Sequence, residues 1–231
     1  MFHRRVIPLI AVVAVCAVCA TPAAAQVSDK DKICSQVENR TFTVGTWASY
    51  NWTGGPSGGS TMRMAVVGKE PHEGTTYYWY EMAIEDPRHP GGKMIMQMLV
   101  HGGVGGVRSV VMKSGDQPAM RMPPQMIQMI NGAPGMNMAS EMTRACKEME
   151  VVGWEQVTVP AGQFRALHLK HPRPTMVSEV WIQPDQQFAL IKGTLKDGGV
   201  MELAAQGTGA KSSITETPIE MPGLPGVPPP H

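Results

Sequence analysis

EVVGWEQVTVPAGQFRALHLKH (150–171) reads as two strands joined by a tight turn. Glu150–Val159 and Phe164–His171 are rich in valine, leucine, tryptophan and phenylalanine, residues that fit a pleated surface. Pro160-Ala161-Gly162 between them has the composition of a hairpin turn. Strand signals continue downstream at Met176–Gln183, Phe188–Thr194 and Val200–Ala205. Upstream they recur at Thr41–Trp52, Thr61–Val67, Thr75–Ile84, Lys93–His101 and Val107–Lys113. Glycine and proline separate these runs at 54–56, 86–92 and 102–103. The reading is a mainly β protein of about ten strands in two blocks, paired antiparallel because neighbours lie close in sequence.

Helical material is minor. Asp29–Glu38 predicts a short helix holding Cys34. Pro123-Pro124 opens a second over Gln125–Ile130, closed by Asn131-Gly132. Asn137 is placed to cap a third, running through Ser140 to Cys146. The chain has 25 glycines and 20 prolines in 231 residues, which favours turns over long helices. An outer-membrane barrel is disfavoured: aromatics are only 6%, and Arg63, Glu81 and Glu179 interrupt the strands.

Both ends differ from the middle. His3-Arg4-Arg5, the apolar run Val6–Ala20 and Ala23-Ala24-Ala25 form the pattern of a cleaved secretory signal. The apolar run is shorter than the roughly 20 residues that span a bilayer. Residues 1–25 are therefore read as a signal peptide, 26–214 as one β-rich domain, and 215–231 as a proline-rich extended tail. The chain is expected in the periplasm, with no transmembrane segment after cleavage. Two cysteines then remain, Cys34 and Cys146, and an oxidising compartment predicts a disulfide between them.

Charge excludes some partners. Lysine plus arginine is 20 against 19 acidic residues, which gives no electrostatic case for nucleic acid. No zinc-protease helix, nucleophile elbow or phosphate loop is present, so neither a catalytic set, a cofactor nor a histidine metal site is assigned. His168 and His171 lie three apart on a strand and face opposite sides. Glu70, Glu73, Glu81, Glu85 and Asp86 read as a solvated rim.

Methionine is the unusual feature. Of 19, most lie between Met62 and Met149, several with period two: Met62/Met64, Met94/Met96/Met98, Met120/Met122 and Met136/Met138. On a strand such residues share a face. Met126 and Met129 share a face of the second helix, and Met138 and Met142 one of the third. Three uses stay open: irregular core packing, an adaptable apolar ligand surface, and soft-metal binding of Cu(I) or Ag(I) through Met-x-Met pairs. For a ligand surface the lining residues are Met94, Met96, Met98, Met126 and Met129, with Trp79 and Trp181 as neighbours.

VTVPAGQFRALHLK (157–170), VWIQPDQQFALIKG (180–193) and VMELAAQGTGAKS (200–212) resemble exported bacterial β-proteins of the lipoprotein-localisation carrier (LolA/LolB-like) type. The resemblance implies a curved, incomplete antiparallel barrel with a helical lid over an apolar cavity. It implies a lipid, a lipoprotein acyl chain or another apolar ligand, bound without catalysis. No catalytic residue is carried over. A structural or interaction module of the envelope, its tail contacting a partner protein, is the other class kept open.

Overall fold

The computed structural model describes residues 30–35, 41–88, 91–101, 106–132, 138–174 and 176–222. The signal-peptide reading, the Met136, Met138 and Met142 side chains, and residues 223–231 of the tail lie outside what is described.

Among the described residues twelve strands form one sheet. They are β1 (Trp47–Thr53), β2 (Thr61–His72), β3 (Thr75–Glu85), β4 (Lys93–Val100), β5 (Val107–Ser114) and β6 (Met120–Arg121), then β7 (Glu150–Val159), β8 (Gly162–Lys170), β9 (Val177–Ile182), β10 (Leu190–Leu195), β11 (Val200–Gly207) and β12 (Ile219–Glu220). Helical residues 30–35 (α1) precede them, and α2 (Pro124–Gly132) and α3 (Met138–Glu148) separate the two blocks. The order across the sheet is β12-β6-β5-β4-β3-β2-β1-β11-β10-β9-β8-β7. Each block is a meander, and β1 joins them by pairing with both β2 and β11. All pairs are antiparallel except β12 with β6. The sheet is curved and open, and it does not close into a barrel.

Turn chemistry fixes the hairpins. In β2–β3, Glu73 and Gly74 both take positive φ (49° and 78°), the mirror-image turn whose twist matches the strands. In β7–β8, Val159 pairs with Gly162 across Pro160-Ala161, so the turn expected from sequence is a two-residue one. The first strand begins later than its alternation suggests. Residues 41–46 form a turn instead, with Gly45 at φ 92° donating to the Val66 carbonyl.

Alternation splits β2–β5, apart from the bulges after Val66 and Leu99, the second of which brings odd-numbered Val107 to the core face. Even-numbered residues face the main core, where Val66, Met98, Val100 and Val110 are buried. Phe42, Tyr50, Phe188, Ile191 and Leu203 join them from the rest of the sheet. The tip of β7–β8 reaches this core too: Val157 and Val159 are buried in it, and Ala161 donates to the Leu203 carbonyl. A second core lies around Leu167 and Leu169 and is closed by Ile33 of α1, Cys146 of α3 and Met149. There Cys34 and Cys146 are bonded, with Cα atoms 5.6 Å apart. Lys30 caps the end of α3 by donating to the Lys147 and Met149 carbonyls.

The odd face of β3–β5 is covered by the chain's own C-terminal segment. Ala83, Ile95, Val111 and Ala119 form a third core with Ile214. Here Glu81, expected on a solvated rim, is only 1% exposed. Its carboxylate accepts hydrogen bonds from Gln97 Nε2 (2.8 Å), Ser213 N (2.8 Å) and Ser213 Oγ (2.7 Å), with Arg63 3.9 Å away. Those donors replace the lost water, which is why a charge survives burial. The described part of the tail, as far as residue 222, runs extended along the edge of the sheet. Ile219–Glu220 extends the sheet beside β6, Lys113 pairs with Glu216, and Arg121 pairs with Glu220 at 3.2 Å. Pro218 and Pro222 only bracket this edge strand, the place where a sheet tolerates proline.

Two stability outcomes follow. Glu81→Ala strands the Gln97 and Ser213 donors under the C-terminal segment and is expected to cost about 3 kcal/mol in urea unfolding. An unchanged midpoint would remove Glu81 as the anchor. Replacing both cysteines by alanine opens a loop of sequence separation 112. The chain-entropy model puts that loss at about 4–5 kcal/mol, readable by the same titration.

Candidate functional site

The even face of β2–β6 is paved with methionine in rows set by strand register. Met62, Ile84 and Met94 oppose one another across β2, β3 and β4 and form the rim. The next row runs Met64, Met82, Met96, Met112, Met120 across all five strands. Below it lie Val66, Tyr80, Met98 and Val110. Exposure falls in that order: Met94 is 40% exposed, Met64, Met82, Met96 and Met112 are half-buried, and Met98 is 7% exposed. The floor is aromatic. Phe42 lies edge-on to Tyr78 at 5.5 Å and 5.9 Å from Tyr80, and Phe188 is 6.2 Å from Tyr80. Tyr80 Oη donates to Met64 Sδ at 2.8 Å, so the floor holds a thioether of the row above.

α2 borders this face at β5. Ile127 is its buried residue, and Met122 just before the helix packs on the same core. Asn131 clamps the helix end, its Nδ2 donating to the Val107 carbonyl (2.7 Å) and its Oδ1 accepting from Val107 N (3.3 Å). A shallow depression of about 360 Å³ lies among Thr61, Glu85, Asp86, Pro87 and Lys93.

Met94, Met96 and Met98 do share one strand face, but as a gradient from rim to core. Met98 packs the interior, and Met126 is half-buried on α2. Met129 is 61% exposed, and Ile127 takes the inward position between the two methionines. Trp79 does not neighbour the stripe. It is odd-numbered on β3 and packs with the third core on the opposite face, as strand alternation requires. Trp181 lies in the second block. Nothing in the sequence marks Met64, Met82 and Met112 as neighbours of Met96, because only register brings them beside it.

Around Trp181 is a charged cluster that the spacing of histidines did not reveal. Its ring stacks on His168, with centroids 4.2 Å apart. Glu155 receives a hydrogen bond from Trp181 Nε1 (2.9 Å) and lies 2.9 Å from His168 Nδ1. The other ring nitrogen of the buried imidazole, Nε2, lies 3.3 Å from Glu179, which also pairs with Lys170 at 3.5 Å. His171 lies past the end of β8, beside Glu148 at 3.5 Å. The indole hydrogen bond, helped by His168, holds the Glu155 carboxyl below its ordinary value of 4.5. Among the described residues no set of three His, Cys, Asp or Glu side chains is gathered for a metal.

The fold and this face define a class: an open, curved antiparallel sheet with a methionine-paved surface. No protein-family profile matches the sequence, and no curated protein matches it either. Solved structures do align with the fold. MucB of Pseudomonas aeruginosa, crystallised in complex with MucA, aligns over 80% of this chain at 12% identity and a TM-score of 0.46. The aligned part spans only 58% of that MucB chain. A protein provisionally classed as a lipoprotein of Parabacteroides distasonis aligns over 71% of this chain and 96% of its own, at 14% identity and a TM-score of 0.34. A protein of Bacteroides fragilis with a YmcC-like fold, provisionally classed as exported, aligns over 72% and 97%, at 13% identity and 0.37. Similarity at this level concerns the course of the chain and carries no argument about ligand or partner. Among the described residues no helix is long and apolar enough to cross a membrane.

Glu155 supplies a pH test. Its lowered carboxyl contributes stability that is present above the ordinary value of 4.5 and lost as pH falls through the folded-state value. The wild-type chain should therefore lose stability more steeply than Glu155→Gln as pH drops below 4.5, read by tryptophan emission during urea unfolding. Parallel curves would show that Glu155 carries no such linkage.

Proposed function

We propose that this chain is an exported, non-enzymatic binding protein. Its ligand is apolar: a lipid, a lipoprotein acyl chain or a similar extended hydrocarbon. One observation carries the reading. The even face of β2–β5 is apolar from core to rim, yet its outer rows are left partly uncovered. A fold that needed only a core would close this surface. The side chains there are unbranched thioethers, which adapt to the shape laid against them.

Binding of this kind is burial. At about 25 cal/mol per Å², a chain covering about 200 Å² of apolar surface gains about 5 kcal/mol before the cost of ordering it. Acyl chains suit the rows because the rows run across strands and present a continuous apolar track. The resemblance of 157–170, 180–193 and 200–212 to lipoprotein carriers points to the same ligand class. It also fits the periplasm, as does the Cys34–Cys146 bond. α2, at the border of the track beside β5, is the element placed to lean over a bound chain.

The test is titration with an apolar naphthylamine dye. Met82→Ser with Met96→Ser breaks the middle row and leaves buried Met98 in place. Dye affinity should fall about tenfold, since about 60 Å² of apolar contact is worth about 1.4 kcal/mol. A folded double variant with unchanged affinity would remove the methionine face from the site.

A further inference from the structure

Apolar packing does not explain why the residue is methionine. The same strands bury their odd face with Ala65, Ala83, Ile95, Leu99 and Val111 and place no methionine there. Between Thr61 and Arg121 every methionine falls on an even position. β-Branched and aliphatic residues suit strands better and fix a core more firmly. The choice is therefore specific to one face, and what separates methionine from leucine there is sulfur.

Register sharpens this. Met64 opposes Met82, Met82 opposes Met96, Met96 opposes Met112, and Met112 opposes Met120. Directly opposed residues of antiparallel strands carry Cβ atoms about 4.5–5.5 Å apart. Residues two apart on one strand are separated by about 6.8 Å. The thioethers that come together are thus neighbours across the sheet, not the Met-x-Met pairs along it. Sulfur stands two bonds beyond Cβ on a flexible stem, so three adjacent side chains can turn toward one point. Tyr80 Oη donates to Met64 Sδ, and a thioether sulfur has a second lone pair. Access is open, because the row is half-buried and its end, Met120, is 40% exposed.

We propose that Met82, flanked by Met64 and Met96, forms a three-thioether site for a soft monovalent cation, Cu(I) or Ag(I). Met112 and Met120 extend the line to its exposed end. Neutral thioethers select soft ions of low charge and offer little to zinc, calcium or magnesium. Both cysteines of the folded domain are tied up in the disulfide and do not compete. The site stands on strand register and the chemistry of sulfur and does not need the apolar-ligand reading.

The test uses the purified chain with its disulfide intact. Ag(I), which needs no reductant, is titrated and followed by native mass. Cu(I) is titrated without oxygen against a chromogenic bicinchoninate chelator. One tightly held ion per chain is expected, with a sulfur-only shell in X-ray absorption. Met82→Leu keeps volume and apolarity and removes the thioether. It should weaken Ag(I) binding at least tenfold. Met96→Leu provides a second reading should the first variant fold poorly. Met176→Leu, at an exposed position outside the row, should change nothing. Equal affinity in Met82→Leu and wild type, or a nitrogen and oxygen shell, would overturn the site. Silver bound by a wild type that ignores the dye would uphold this site and reject the apolar-ligand reading.

Discussion

Alternation is the constraint on which this structure rests. Outside the bulges after Val66 and Leu99, each of β2–β5 sends even residues to one face and odd residues to the other, so the sheet has two apolar faces to cover. The core face is filled by the curl of the sheet, by Phe42 and Phe188, and by the tip of β7–β8. Among the described residues no second block of strands packs against the odd face. It is covered by the chain's own end, with Ile214 inserted among Ala83, Ile95 and Val111. The last strand then extends the sheet at β6, so two short strands, β6 and β12, lie outside the longer β5.

One buried charge organises that cover. Glu81 would be expensive in an apolar interface unless every acceptor position found a donor. Gln97 and the backbone and hydroxyl of Ser213 provide them. The arrangement fixes position as well as energy. A C-terminal segment held only by Ile214 could slide along the sheet, whereas two hydrogen bonds from Ser213 to one carboxylate admit a single register. The Lys113–Glu216 and Arg121–Glu220 pairs extend the same registration at the surface, where ion pairs contribute little stability but still discriminate alignments.

Local signals were legible in the sequence. The runs behind β3, β4 and β5, the turn at Pro160-Ala161, the helix opened by Pro123-Pro124 and the cysteine pair depend on composition and short spacing, and the structure carries each of them. What depended on pairing was not legible. The acidic group around Glu81 reads as a rim because nothing near it in sequence announces Ser213, 132 residues away. Trp79 looks like a neighbour of the methionine stripe until its odd number on β3 sends it to the other face. His168 looks isolated from its partners because Glu155 and Glu179 come from two different adjoining strands. A proline-rich stretch signals loss of helix, but it does not forbid an edge strand two residues long.

The methionine face shows how register turns composition into chemistry. Along β4 alone, Met94, Met96 and Met98 are three side chains of unequal burial, and only the middle one is both reachable and supported from below. Across the strands, that middle residue belongs to a line of five. A one-residue slip of β3 against β4 would send Met82 to the odd face, place it among alanine, isoleucine and valine, and divide the line in two. The buried contacts of Glu81 oppose that slip, because β3 carries Glu81 and Met82 side by side and β4 carries Gln97 beside Met96. The bond that seats the C-terminal segment on one face therefore also keeps the thioethers aligned on the other.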